Sequence, residues 1–233
     1  MMSGLRIATF NIRHALGMDD RIDLGRIANV LRQINADIIL LQEVEYCRPR
    51  SKCKRQAYEL ARKLDMEYAY GPVTTYRAGS YGNAILSRYP ILKSINYILP
   101  DSPAKRGCLQ ADLTVKNMPL TVFNTHLGLN KKLRRQHIEE MILPRLLSIS
   151  TPLILGGDFN ARPESPEIIL LSSYLADTFS KNSGLLSKTF PSINPVARID
   201  YLFINQGLST KDFFIMDSHA SDHLPVIAEV DLA

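Results

Sequence analysis

No tryptophan occurs in the 233 residues, which removes one stacking platform for nucleic-acid bases, although ten tyrosines are available in its place. Cysteine is scarce. Cys47, Cys53 and Cys108 form no CxxC pair, no complete set of disulfide partners and no zinc-type spacing, so reduced thiols in a cytoplasmic protein are expected. No apolar run approaches the roughly 18 to 20 residues that cross a bilayer, so no transmembrane segment is expected. The stretch from Leu5 to Ile12 is short, is interrupted by Arg6 and lacks a cleavage pattern, so it reads as a first strand. Low-complexity linkers, fixed-period repeats and unbroken blocks of like charge are also missing, and a single domain over 1–233, acting as a monomer, is the expectation.

What is present is an ordinary folded composition, 45% hydrophobic and 22% charged, which argues against long disorder. The formal net charge of +5 favours anionic partners but is too mild to single out nucleic acid. Leu24, Ile27, Ala28, Leu31 and Ile34 recur at helical spacing behind Asp23, a candidate N-cap. Asp37 to Leu41 is a short apolar run, expected of a strand covered on both faces, and it delivers Gln42 and Glu43 at its end. A second helix is expected over Gln56 to Leu64. Short strands follow at Ala84–Leu86, Ile91–Leu99, Leu109–Val115 and Leu120–Asn124, with a hairpin connection at Lys116–Pro119. Lys131 to Ile149 reads as a helix that Pro144 should kink. Leu153–Leu155, Ile199–Ile204 and Val226–Val230 complete the strands, and Ser165-Pro166 opens another helix. Alternating helices and strands, with strands alone in the middle, favour a mixed-sheet α/β protein.

Polar residues gather where these strands end: Asn11, Glu43, His126, Asp158 with Asn160, Asp200, and Asp222 with His223. Strand ends are where α/β sheets build their sites. A lone carboxylate there is usually a cap or turn residue, but recurrence along the chain is harder to dismiss. Oxygen donors such as Glu43 and Asp158 suit Mg²⁺ or Mn²⁺, and zinc is disfavoured because the histidines lack metalloprotease spacing. Ala8-Thr9-Phe10-Asn11 also echoes Gly157-Asp158-Phe159-Asn160, a hint of two related halves.

Thr9-Phe10-Asn11, Gln42-Glu43, Gly82 to Ser87, Asn124-Thr125-His126, Gly157 to Asn160, Arg198-Ile199-Asp200 and Ser221-Asp222-His223 occur in an order that resembles the motifs of the endonuclease/exonuclease/phosphatase superfamily. The resemblance spans about Arg6 to Val230. It implies a four-layer α/β sandwich, two mixed sheets packed face to face with helices outside, and Mg²⁺-dependent phosphoester hydrolysis. Carried over by position, Glu43 would hold the metal with Asn11, and Asp222 would lie beside it. Asp158 would orient or deprotonate the attacking water, and Asn160 and His223 would bind the phosphate. Asp200 would fix the His223 tautomer, and His126 would serve as a donor or general acid. Asn83 and Arg106 are candidate phosphate contacts. Abasic-site endonucleases of the superfamily tend to carry an acidic residue where this chain has Arg13 and a tyrosine where it has His126. The expected substrate is therefore a small or lipid-linked phosphoester. A nuclease on DNA or RNA is the alternative and a non-catalytic binder a minor one, since none of the principal positions is missing.

Weaker features remain. Arg48, Arg50, Lys52, Lys54 and Arg55 could steer an anion or simply be solvated, and Arg77 and Tyr81 could wall a substrate or form a turn. Lys131, Lys132, Arg134 and Arg135 read as an exposed helical face. His14, His137 and His219 match no motif; His137 is expected at the surface and His219 near the terminal motif.

Overall fold

The computed structural model describes residues 4–101, 104–179 and 187–232. In chain order its elements are β1 (Leu5–Asn11), α1 (Leu24–Ile34), β2 (Ile38–Tyr46), α2 (Gln56–Leu64), β3 (Glu67–Thr75), β4 (Ser80–Ser87), β5 (Ile91–Leu99), β6 (Arg106–Val115) and β7 (Met118–His126). Then follow α3 (Lys131–Gln136), α4 (Leu143–Leu147), β8 (Leu153–Asp158), α5 (Pro166–Ser172), β9 (Ala176–Asp177), β10 (Asp200–Ile204), β11 (Leu208–Ile215) and β12 (Val226–Leu232). They form two six-stranded mixed sheets, β11-β12-β1-β2-β4-β3 and β5-β6-β7-β8-β10-β9. Each sheet has one parallel pair, β1 with β2 and β7 with β8, and antiparallel neighbours elsewhere.

The side chains alternate as the pleat requires. Ile7, Leu40 and Ile85 of the first sheet pack against Leu109, Val122, Ile154 and Leu202 of the second. On the outer faces, Phe10, Ile39 and Leu41 meet Ile27, Leu31 and Leu60 of α1 and α2, while Phe123, Leu155 and Phe203 meet Ile168, Leu171 and the helical segment after β7. The result is the expected four-layer α/β sandwich. The sheets approach closely at Gly156, where a Cβ would lie 2.6 Å from both Leu40 Cδ1 and Leu202 Cδ2.

Asp23 caps α1 as expected, its Oδ1 accepting from Gly25 N at 2.8 Å and Arg26 N at 3.2 Å. The kink expected at Pro144 takes the form of a π turn, His137–Ile142, between α3 and α4. A proline has no N–H to give to the carbonyl four residues back, and the widened turn absorbs that missing bond.

Several expectations are corrected. Cys47 and Cys53 form a disulfide, and only Cys108 is a free thiol, buried and pushed up to about 12 by that burial. Left-handed backbone at Cys47 and Cys53, φ 52° and 55°, brings them together across a tight loop. Arg134 is not on an exposed face: it is buried with its Nε 2.5 Å from Glu167 Oε1. Arg135 does lie outside, paired with Glu139. His137 is fully buried, its Nε2 2.7 Å from Pro100 O. Among the described residues no helix is long and apolar enough to cross a membrane.

Candidate active site

The ends of β1, β7 and β8, the bulge of β2 and the beginnings of β10 and β12 meet at one edge of the sandwich, and several polar contacts there cross from one sheet to the other. Asn11, the last residue of β1, donates from Nδ2 to Asp158 Oδ2 at 3.0 Å and lies 3.4 Å from Glu43 Oε1. Glu43 is not beyond its strand but within it, at a bulge where the register of β2 on β4 shifts between Leu41 and Val44. Its φ of 59° is strained for a residue with a side chain, a cost typical of bulges that re-aim functional groups. Beneath it, Gln42 Nε2 donates to Asn124 Oδ1 at 2.7 Å and Thr9 Oγ1 at 3.0 Å. Asn124 in turn donates to the carbonyls of Leu41 and Ala84, so a buried amide pair bolts the sheets together below the site.

Asp158 ends β8 after Gly157, whose φ of 142° and close approach to Thr125 O, which an added Cβ would meet at 1.9 Å, exclude any side chain. Asp158 Oδ1 accepts from Asn160 N at 2.9 Å, and Asn160 sits at φ 48° with its Nδ2 donating to Leu127 O. Asp200, directly opposite Asp158 in the β8–β10 register, accepts from Thr189 Oγ1 at 2.6 Å and faces His223 Nδ1 at 3.0 Å. The other imidazole nitrogen of His223 is thereby turned to Asp158 Oδ2, 3.7 Å away, and the Phe190 ring lies 4.8 Å from the histidine ring. Ser221 holds the approach to β12 in place by donating to Asn11 O at 2.7 Å. Ligand atoms of Asp158, Asp200 and His223 lie within 4.8 Å of one another, close enough to share a cation.

His126 Nε2 is 3.3 Å from Asp158 Oδ2, and its Nδ1 is 3.3 Å from Arg106 Nη1. The ring thus stands between two donors, the Arg106 guanidinium at Nδ1 and the Asn160 amide nitrogen 3.2 Å from Nε2, with the Asp158 carboxylate also at Nε2. Burial, reinforced by Arg106, lowers the His126 pKa to about 3, keeping the ring neutral. His223 moves the other way: burial pulls its pKa down, but the charges of Asp200 and Asp158 outweigh it and hold the proton above the ordinary imidazole range. Burial, with Asp200 nearby, raises Asp158, against the opposing charge of His223. Burial also pushes Glu43 upward, yet His14, His126 and Asn11 together bring its carboxyl down to about 2.

The expected residues Asn11, Glu43, His126, Asp158, Asn160, Asp200 and His223 thus lie in one contact network. Arg106 joins through His126. Asp222 is placed on Arg13, Nε to Oδ2 3.4 Å, at the margin of this network. Asn83 is buried and donates to Gly107 O at 3.0 Å, which anchors the strand bearing Arg106. Sequence reasoning named Gln42 and Asn124 within motifs but gave them no role, and it left out Thr189, Phe190 and any role for His14. An amide inside an apolar strand was the available sign for Gln42 and Asn124; Thr189 and Phe190 come from an irregular segment with no such mark. His14 lines the site with Nδ1 3.9 Å from Glu43 Oε2, while His219 is exposed.

Two sheets with a carboxylate, imidazole and amide site along their shared edge define an α/β-sandwich protein with hydrolase-type side chains. The Endonuclease/Exonuclease/phosphatase family profile matches residues 8–223, and the chain belongs to that family, whose members hydrolyse phosphoesters. It is 28% identical over 243 residues to the uncharacterized protein YbhP of Escherichia coli, covering 97% of this chain and 96% of that protein. A family structure from Bacteroides vulgatus superposes with a TM-score of 0.81 at 21% identity, covering 99% of this chain and all (100%) of that one. A mannosyl-6-phosphatase from Bacteroides thetaiotaomicron gives a TM-score of 0.78 at 21% identity, with 98% and 100% covered.

Proposed function

We propose that this chain is a divalent-metal-dependent phosphoesterase, using Mg²⁺ or Mn²⁺, that hydrolyses a small or lipid-linked phosphoester. The observation that carries the reading is Asp158, a buried carboxylate approached by Asn11, His126 and His223 and flanked by Asp200. Such a group can orient water against a phosphorus atom held by the surrounding donors.

The donor set fits a hard cation. Glu43 is ionised, only partly covered, and offers oxygen beside Asn11 and Asp158. The Asp200–His223 pair is already satisfied by its own hydrogen bond, which leaves Glu43, with Asn11 and with Asp222 at the margin, as the residues that would hold the metal. When bound, it would supply neutralisation of a phosphoryl oxygen and stabilisation of the leaving oxygen.

The protein's own residues supply the rest. Asp158 accepts a proton from, or aligns, the attacking water. Asn160 and protonated His223 donate to the phosphate, with Asp200 holding Nδ1 so that Nε2 points to the reacting centre. His126, held neutral, takes part as an uncharged hydrogen-bonding group rather than an imidazolium acid. Asn83 acts through Gly107 to position Arg106. Most of the basic segment after β2 is engaged internally, with Arg48 over Tyr76, Lys54 on Glu59 and Arg55 over Tyr58, which weakens the case for a nucleic-acid track.

The test is Asp158→Asn, assayed with Mg²⁺ or Mn²⁺ on a chromogenic phosphodiester and monoester, abasic and plain DNA, RNA, sphingomyelin and inositol phosphates, each with and without chelator. Turnover should fall by at least about a thousandfold with an unchanged circular-dichroism spectrum. Near-wild-type turnover by the variant would sink the assignment.

A further inference from the structure

Beside Glu43 the site opens into a cleft of about 400 Å³ that extends beyond the hydrolytic network. Its lining includes His14, Arg50, Tyr76, Tyr81, Lys105 and Arg106, with Glu43 as the one carboxylate among the described residues. Arg106 stands on the border. One side of its guanidinium meets His126, another meets the Tyr81 hydroxyl, and its buried Nε has no hydrogen-bond partner among the described residues. His14 Nδ1 is likewise buried without a partner within hydrogen-bonding distance among the described residues. His14 is fixed there by a run of left-handed backbone, φ 43°, 45° and 68° over Arg13, His14 and Ala15, and by Gln56 Nε2 donating to its carbonyl at 2.8 Å. Arg50 is held at the rim by buried Glu45, to which its Nε and Nη2 are both 2.6 Å distant. The Arg48 guanidinium stacks 3.5 Å from the Tyr76 ring and fixes that wall.

Cations converging on a walled cleft, with orphaned donors inside it, are the chemistry of oxyanion recognition. We propose that this cleft is a second-anion subsite, so that the preferred substrates are phosphoesters whose esterified group carries another phosphate. The inference rests on the phosphoesterase reading above and narrows its substrate. Arg106 would span both anions, and Lys105 and Arg50 would meet the distal one.

The test compares kinetics of the wild type with Lys105→Ala and Lys105→Glu, an exposed position whose replacement spares the core. The substrates are bis(p-nitrophenyl) phosphate, soluble inositol 1,4-bisphosphate, and an inositol lipid phosphorylated on its ring, presented in phosphatidylcholine vesicles. The two inositol arms distinguish a free from a lipid-linked source of the same chemistry. Expected is a roughly tenfold rise in KM for the second-phosphate substrates in Lys105→Ala, larger in Lys105→Glu, with kcat retained and the nitrophenyl diester unaffected. Equal changes on all substrates, or none on any, would overturn the subsite while leaving the phosphoesterase standing. A wild type inert toward every substrate with both metals would overturn both.

Discussion

Strands β12-β1-β2-β4 of the first sheet and β6-β7-β8-β10 of the second share one pairing scheme: an antiparallel neighbour, a parallel pair joined through helix, then another antiparallel neighbour. Superposing the schemes sets Asn11 against His126, the Gln42–Glu43 bulge against Asp158, the Tyr81–Asn83 start of β4 against Asp200, and the His223 approach to β12 against Arg106. The backbone plan is repeated while the chemistry is divided. The first sheet brings the partly exposed, ionised carboxylate, and the second brings the buried one with a raised pKa. Two functional pairs, Asn11 with Asp158 and His223 with Asp200, draw one member from each sheet. Neither sheet holds a working half.

The sharpest way to break this comparison is to exchange charges across it. Glu43→Gln should lower turnover by about a thousandfold or more, as Asp158→Asn does, but activity should recover in part as Mg²⁺ or Mn²⁺ is raised. Metal titrations of both variants check this, and identical titration curves would erase the proposed division of labour. Next in size, Gly157→Ala should destabilise the fold by roughly 3 kcal/mol or more, because the added Cβ meets Thr125 O and the backbone is left-handed. Chemical denaturation would measure it. Gln42→Leu removes a buried bolt and leaves Asn124 Oδ1 without its donor; a loss of about 1–3 kcal/mol is expected from the same measurement.

The smallest effects lie in pH dependence of the metal-free protein. Glu43 is lowered from 4.5 to about 2, so its contribution to stability is complete above pH 4.5 and vanishes as pH falls through about 2. His223 is raised from 6.5, so its contribution is complete below 6.5 and is lost as pH rises through the higher folded value. Glu43→Gln should flatten the acid limb alone, and Asp200→Asn should bring the alkaline limb down toward 6.5. Melting temperatures in chelator across pH would show whether the limbs separate in this way.

Central elements were readable from sequence because their side chains answer to burial: Asp37–Leu41 is apolar on both faces since both faces are covered. The strands that escaped were β3, β9 and β11, each at the edge of its sheet. In β11 the run Ser209-Thr210-Lys211-Asp212 is exposed, so no hydrophobic period marks it. The site motifs were legible as a set, but the sequence echo matched β1 with β8, whereas the pairing scheme matches β1 with β7 and β2 with β8. Short motifs record residue type, and strand equivalence is set by neighbours far along the chain. For the same reason the Cys47–Cys53 loop, the burial of His137 and the Thr189 support of Asp200 depend on local turns and distant partners that spacing does not encode.

The amide link between Gln42 and Asn124 has a consequence for assembly. Sliding one sheet over the other by a two-residue step, about 7 Å, would restore the apolar pleat but strand both amides in a dry interior. The link therefore works as an alignment key, admitting one docking of the sheets and penalising its near neighbours. Because the same docking brings Asn11 to Asp158 and His223 to Asp200, a chain that has folded into the right frame has also assembled its site.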